Sequence, residues 1–252
     1  MLKSFFLLLV SMYSLYAECI SGDCENAKGV YVFENGTKYE GDFKNSAPSG
    51  LGVMFFKKNK IYLGQFENGI PEGKGSMFQS GGKKSYYGEF HKGRKEGLGV
   101  MDYGNSMYYE GYWLNGKRDG KGTLVSKDRS YLYTGDWVKG KQTGNGKLNF
   151  SKDGVDAVYQ GGFQKGVFNG YGTLAFKDGN KYTGEFQEGR FHGKGTLTNA
   201  KGAYFVGEFR QGLRHGEGSI YDAKGRLLDT GRWENDKKLK NISSGTEVPP
   251  QK

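Results

Sequence analysis

The sequence predicts an all-β repeat chain made of consecutive β-hairpins. Three observations carry that prediction. Glycine supplies 44 of 252 residues, proline only 4, and aromatic side chains reach 15%. Disordered chains are poor in aromatics and rich in proline, so this composition belongs to a chain that folds. A Tyr-x-Gly-x-aromatic pattern recurs about every 23 residues, and a Gly-x-Gly-x-apolar pattern follows it at a fixed distance. Both alternate with period two, as half-buried strands do.

At the N-terminus, Lys3 precedes an apolar run from Phe5 to Val10 that continues weakly to Leu15, and Ala17 offers a small residue for cleavage. Residues 1–17 read as a signal peptide. The run is shorter than the ~20 apolar residues a membrane-spanning helix requires. The expected product is an exported chain, periplasmic, envelope-bound or secreted, that starts near Glu18. The only two cysteines, Cys19 and Cys24, are then a disulfide candidate in an oxidising compartment. No His lies near enough in sequence to complete a zinc site with them.

Residues 39–228 hold eight repeats. With the glycine of Tyr-x-Gly as position zero, the series runs Gly41, Gly64, Gly88, Gly111, Gly135, Gly161, Gly184 and Gly207, and Gly231 begins a ninth. Position minus two is Tyr or Phe throughout the eight, and position plus two is Phe or Trp in all nine. Positions nine and eleven are glycine in the eight repeats, and position thirteen is Met, Leu or Ile. All length variation falls after position thirteen, which separates a fixed unit from a tolerant connection. Glycine is frequent at position five, so each unit reads as a hairpin with a longer loop. Pairing position two with nine sets zero opposite eleven and minus two opposite thirteen. The three bulky side chains and three glycines then share one face. A one-residue bulge would break that register. In this arrangement rings of one unit lie over bare backbone of a neighbour, and their burial offsets the poor strand propensity of glycine. The opposite face, with Glu40, Asp42, Thr134, Asp136, Thr183, Glu185 and Thr230, suits water.

Residues 229–236 form a truncated ninth repeat in which Asp229 replaces the aromatic. Residues 237–252 lack periodicity, carry Lys237, Lys238 and Lys240, and read as a disordered basic tail.

These units resemble the MORN (membrane occupation and recognition nexus) repeat, with Tyr182 to Leu197 close to a consensus unit and the resemblance running from Tyr39 to about Trp233. It implies an elongated, single-layer antiparallel sheet of stacked hairpins, curved and twisted. The departures lie at the ends. Gly22 and Cys24 stand where Gly and an aromatic would be in a unit shortened by four residues, so residues 18–38 read as a capping partial repeat and the truncated ninth unit as its counterpart. MORN proteins mostly act as scaffolds or interaction modules, and binding to phospholipid headgroups has been proposed for them.

No cofactor, metal or catalytic set is expected. His192 and His215 share position eight of adjacent repeats, about 10 Å apart, too far to hold one metal ion. Glu72, Glu96 and Asp119 occupy the same position and read as a solvated acidic stripe rather than a calcium site. His91 reads as a surface residue. Gly120-Lys121-Gly122-Thr123 and Gly193-Lys194-Gly195-Thr196 fail as phosphate loops because the Lys-Gly-Thr lies inside a strand. The formal net charge of +10 is spread among acidic residues, which argues for a solvated surface and against a nucleic-acid patch. The expected function is a non-enzymatic scaffold that binds protein through an aromatic-lined concave face. Its candidate contact residues are Tyr62, Phe66, Tyr86, Phe90, Tyr109, Trp113, Tyr133, Trp137, Tyr159 and Phe163. The alternative is an anionic-lipid module that acts through the basic residues.

Overall fold

The computed structural model describes residues 17–79 and 83–239. The apolar N-terminal run and residues 240–252 lie outside the described residues. Every described element is a strand, and within each unit neighbours in sequence pair antiparallel. The strands fall into two units divided after Asn105. The first holds β1 (Glu18–Gly22), β2 (Lys28–Val32), β3 (Lys38–Lys44), β4 (Ala47–Phe56), β5 (Lys60–Glu67), β6 (Ile70–Gln79), β7 (Lys84–His91) and β8 (Arg94–Asp102). The second begins with β9 (Met107–Leu114), β10 (Lys117–Ser126), β11 (Tyr131–Val138), β12 (Lys141–Lys152), β13 (Val155–Gln164) and β14 (Val167–Phe176). It ends with β15 (Lys181–Gln187), β16 (Arg190–Thr198), β17 (Tyr204–Arg210), β18 (Leu213–Tyr221), β19 (Leu227–Glu234) and β20 (Lys237–Lys238). The all-β hairpin array is as the sequence predicts.

The register departs from expectation in an informative way. In the hairpin β15–β16, Tyr182 faces Leu197 and Gly184 faces Gly195, as expected, but Phe186 faces Phe191 at position seven. Gly193 and Lys194 bulge out between those pairs. The same shift occurs in all eight repeats. An insertion of two residues preserves the alternation of faces, so Tyr, Phe and Leu stay together. The expected pairing of position nine with position two is found instead between repeats, as Gly193 opposite Phe209. Glycine at position nine is therefore needed for the bulge: Gly193 has φ +53 and Gly120 φ +82.

The hairpin loop is shorter than expected. Glu67 pairs with Ile70 across Asn68 (φ +49) and Gly69 (φ +78), a two-residue type I′ turn. Within each unit, turns are also tied to the preceding repeat. The Gly69 N–H donates to the Pro48 carbonyl at 2.8 Å, and Gly189 donates to Phe168 at 2.9 Å.

The core is a ladder of rings on one face. Tyr182 sits edge-to-face with Phe186 of its own repeat at 5.1 Å and with Phe209 of the next at 5.0 Å. The first unit repeats this with Tyr39, Phe43, Phe66, Tyr62 and Phe90. Such pairs contribute ~0.5–1.5 kcal/mol each beyond area burial. The glycines at zero and eleven lie under the Tyr of the same repeat, not of a neighbour as the sequence suggested. A Cβ on Gly195 would stand 2.4 Å from the Tyr182 hydroxyl. The hydroxyl reaches past both glycines and donates to the Glu185 carbonyl at 3.0 Å, and six other tyrosines do the same.

Position seven closes the ring face. Phe168 and Phe191 stack flat on Tyr159 and Tyr182 at 3.8 Å. Lys95 places its ammonium 4.9 Å from the Tyr86 ring centre, and Arg214 its guanidinium 4.2 Å from Trp233. This lid, built from apolar and cationic residues alike, is how a one-layer sheet buries its tyrosines completely.

Both ends are capped. Cys19 and Cys24 are joined by a disulfide, and Gly22 faces Gly29 as the shortened first repeat requires. At the other end Lys238 lies over Gly231 and its ammonium pairs with Asp229, so an ion pair stands where Tyr would. Lys237 and Lys238 therefore belong to the last hairpin as β20 and not to a disordered tail.

Two predictions follow from the ring ladder. Gly195→Ala should cost about 2–4 kcal/mol, because the pinned Tyr182 ring must shift. Gly189→Ala, where a Cβ meets nothing but φ is +79, should cost only about 1 kcal/mol; urea titrations that gave equal losses would count against the ring-over-glycine packing. Burial also pushes the phenols of Tyr39, Tyr62 and Tyr159 up to about 12, and those of Tyr86, Tyr133 and Tyr182 in the same direction. Their stability contribution is complete below the unfolded value of about 10 and is lost as pH rises through the folded values. The tyrosinate absorbance of these buried phenols should thus appear together with unfolding, in one transition above pH 10, and the exposed tyrosines are not part of it.

Candidate outer-face binding surface

The ten rings expected to line a binding groove are core residues. Tyr62, Phe66, Tyr86, Phe90, Tyr109, Trp113, Tyr133, Trp137, Tyr159 and Phe163 are each no more than 5% exposed. They lie on the predicted face and touch one another there, but position-seven side chains and neighbouring rings cover them. A partner cannot use them as its contact surface, and open depressions occur on the opposite, outer face instead.

That outer face is built around the bulge. In four repeats the position-one side chain turns outward and accepts a hydrogen bond from the bulged N–H at position ten. Asp42 takes Leu51, Gln65 takes Lys74, Asp136 takes Asn145 and Glu185 takes Lys194, at 3.0–3.2 Å. The Lys121 ammonium, then the Asn145 N–H, hold the Asp136 carboxyl below the usual carboxylate range. Lys28 and the Leu51 N–H act on Asp42 in the same way. The acidic residues at position eight also have structural partners. Glu72 accepts from the Lys92 N–H at 2.9 Å and contacts His91 Nδ1 at 2.8 Å, and Asp119 accepts from the Lys139 N–H. His91, expected as a plain surface residue, is thereby part of a turn contact. His192 and His215 lie opposite Glu185 and Glu208 in their own hairpins. Among the described residues no three His, Cys, Asp or Glu side chains converge on a point.

The two units present different chemistry on this face. Rows of side chains cross the strands at positions twelve and minus one. In the second unit the row is hydroxyl-rich, with side-chain hydrogen bonds Thr123–Thr134 (3.0 Å), Thr173–Thr183 (3.1 Å) and Ser219–Thr230 (2.9 Å). In the first unit the same row carries Val53 opposite Leu63 and Tyr87 opposite Val100. A second row carries Phe55 opposite Ile61, with Phe78 beyond it. Leu63 is 50% exposed and Tyr87 64%. The sequence reading of this face as suited to water therefore holds for these hydroxyl pairs, while exposed apolar side chains such as Leu63 and Tyr87 in the first unit and Tyr171 and Val206 in the second depart from it. Comparing positions minus one and twelve between early and late repeats would have revealed the difference.

Removing a bulge cap should be measurable. Asp136→Ala should destabilise by about 1 kcal/mol at neutral pH. Because the folded carboxyl titrates below its unfolded value of about 3.9, this contribution is present above that value and lost as pH falls through the folded one. Variant and parent should converge in stability under acid; a gap that persists would show that the carboxylate's bonds are not its source.

A family model for the MORN repeat matches residues 26–38, 39–60, 62–83, 86–108, 109–131, 133–155, 159–181, 182–204 and 205–225. Its first match falls in the segment that the sequence assigns to the N-terminal cap. No curated protein is found to match the chain. With nine matched repeats spanning most of its length, and a paired-glycine, ring-ladder hairpin in each of the eight full units, the chain belongs to the MORN repeat family.

Proposed function

We propose that the protein is a non-enzymatic scaffold that binds a protein partner, in the cell envelope or outside the cell, through the outer face of its sheet. One observation carries this reading. The sheet hides its largest side chains completely, while on the other side it leaves apolar residues such as Leu63 and Tyr87 half or more exposed. Exposed apolar patches on folded chains mark interaction sites. The polar groups that could suggest chemistry recur from repeat to repeat as caps of bulges and turns, whereas catalysis calls for a singular constellation. The apolar run from Phe5 to Val10 and the bonded Cys19–Cys24 pair support an oxidising, exported location.

Site-specific photo-crosslinking in the native envelope tests this. A photoreactive residue at Tyr87 or Thr196, both on the outer face, should yield a covalent adduct with protein from at least one position. Adducts with lipid alone would favour the anionic-membrane reading, and no protein adduct from either position would sink the proposal.

A further inference from the structure

The outer face of the first unit has a definite size, polarity and border. Its main row runs from Val30 on β2 to Val100 on β8, crosses six strand spacings, and is apolar except at Glu40 and Ser76. At ~4.8 Å per spacing this is about 29 Å, the length of a helix of ~19 residues. The row with Phe55 and Phe78 lies two residues further along the strands, about 7 Å away. Together the two rows match the width of one helix, about 10 Å. Beyond them, the connections β4–β5 and β6–β7 carry Lys57, Lys58 and Lys83 at the same end of the strands. Among the described residues Lys57, Lys58 and Lys83 make no ion pair.

The occupant's chemistry follows. Within a sheet the backbone donors and acceptors are spent on neighbouring strands, so a chain that covers its face must satisfy its own backbone. A helix does this; so does a second sheet. A second copy of this chain would bring another lysine border and another net charge of +10 against the first, which disfavours self-docking. We propose that this face receives an amphipathic helix of a partner protein, with its apolar stripe on the two rows and acidic residues along the flank that meets the lysine border. The inference rests on the scaffold reading above and makes it specific to the first unit.

Helical peptides of about twenty residues provide the probe. One carries a leucine stripe flanked by glutamate, and the other carries the same stripe flanked by lysine. Binding to the full chain is followed by fluorescence anisotropy at low and physiological ionic strength. The glutamate peptide should bind at least about tenfold tighter than the lysine peptide, and the gap should narrow with salt. Leu63→Ser with Tyr87→Ser should weaken it about tenfold or more, since both side chains are exposed and their loss leaves the ring core intact. Lys57→Glu with Lys83→Glu should reverse the peptide preference. Tyr171→Ser, on the second unit's outer face, should change nothing. Glutamate-peptide binding that survives the first-unit variants but falls with Tyr171→Ser overturns this inference and leaves the scaffold reading standing. Equal affinity for the two peptides also overturns it. Binding confined to phosphatidylserine-containing vesicles, with neither peptide bound, overturns both readings.

Discussion

The structure depends on one contact: a tyrosine ring laid flat over a pair of facing glycines in its own hairpin. Bare backbone at positions zero and eleven lets the ring lie down, and the ring's hydroxyl then reaches the carbonyl beyond. A ring held so low presents its edges to an aromatic on each side. The edge-to-face ladder therefore runs from repeat to repeat without a second layer of secondary structure. Most sheets bury their apolar face against another element. Here a side chain from position seven takes that part, and its chemistry is free to vary between Phe, Pro, Gln, Lys and Arg because the ring below accepts an apolar or a cationic cover equally.

Closing one face so thoroughly leaves the other to differ between repeats. The outer side chains contribute little to holding hairpins together beyond the position-one caps, so their identity can drift or be selected for contact. The divergence between the two units is the outcome. Among the described residues, the hydroxyl pairs that satisfy each other across strands are confined to the second unit, and both units expose apolar side chains on this face.

Much of this was legible in the sequence because period and spacing report directly on strand alternation. Tyr182, Phe186 and Leu197 share a face, Gly184 meets Gly195, and Cys19 joins Cys24, all as read from the residues. The bulge was not legible: two extra residues leave side-chain parity unchanged, so a bulged hairpin with a tight turn and a plain one with a longer loop predict the same faces. Only the positive φ of Gly193 separates them. The burial of the rings chosen as a contact surface was missed for a related reason. Aromatic content marks where burial is valuable, but not whether something already provides it. The cover, at position seven, changes chemical character from Pro48 to Lys95 to Phe191, and no composition rule groups those residues.

The ion pair at the C-terminal end has a further meaning. Every interior repeat offers its successor an aromatic seat, formed by a tyrosine that awaits the next ring. The ninth repeat offers a carboxylate already claimed by a lysine of its own hairpin. An incoming hairpin, from this chain or another, would meet charge where it needs a hydrocarbon wall. The last unit thus withdraws the aromatic seat on which a further ring would rest.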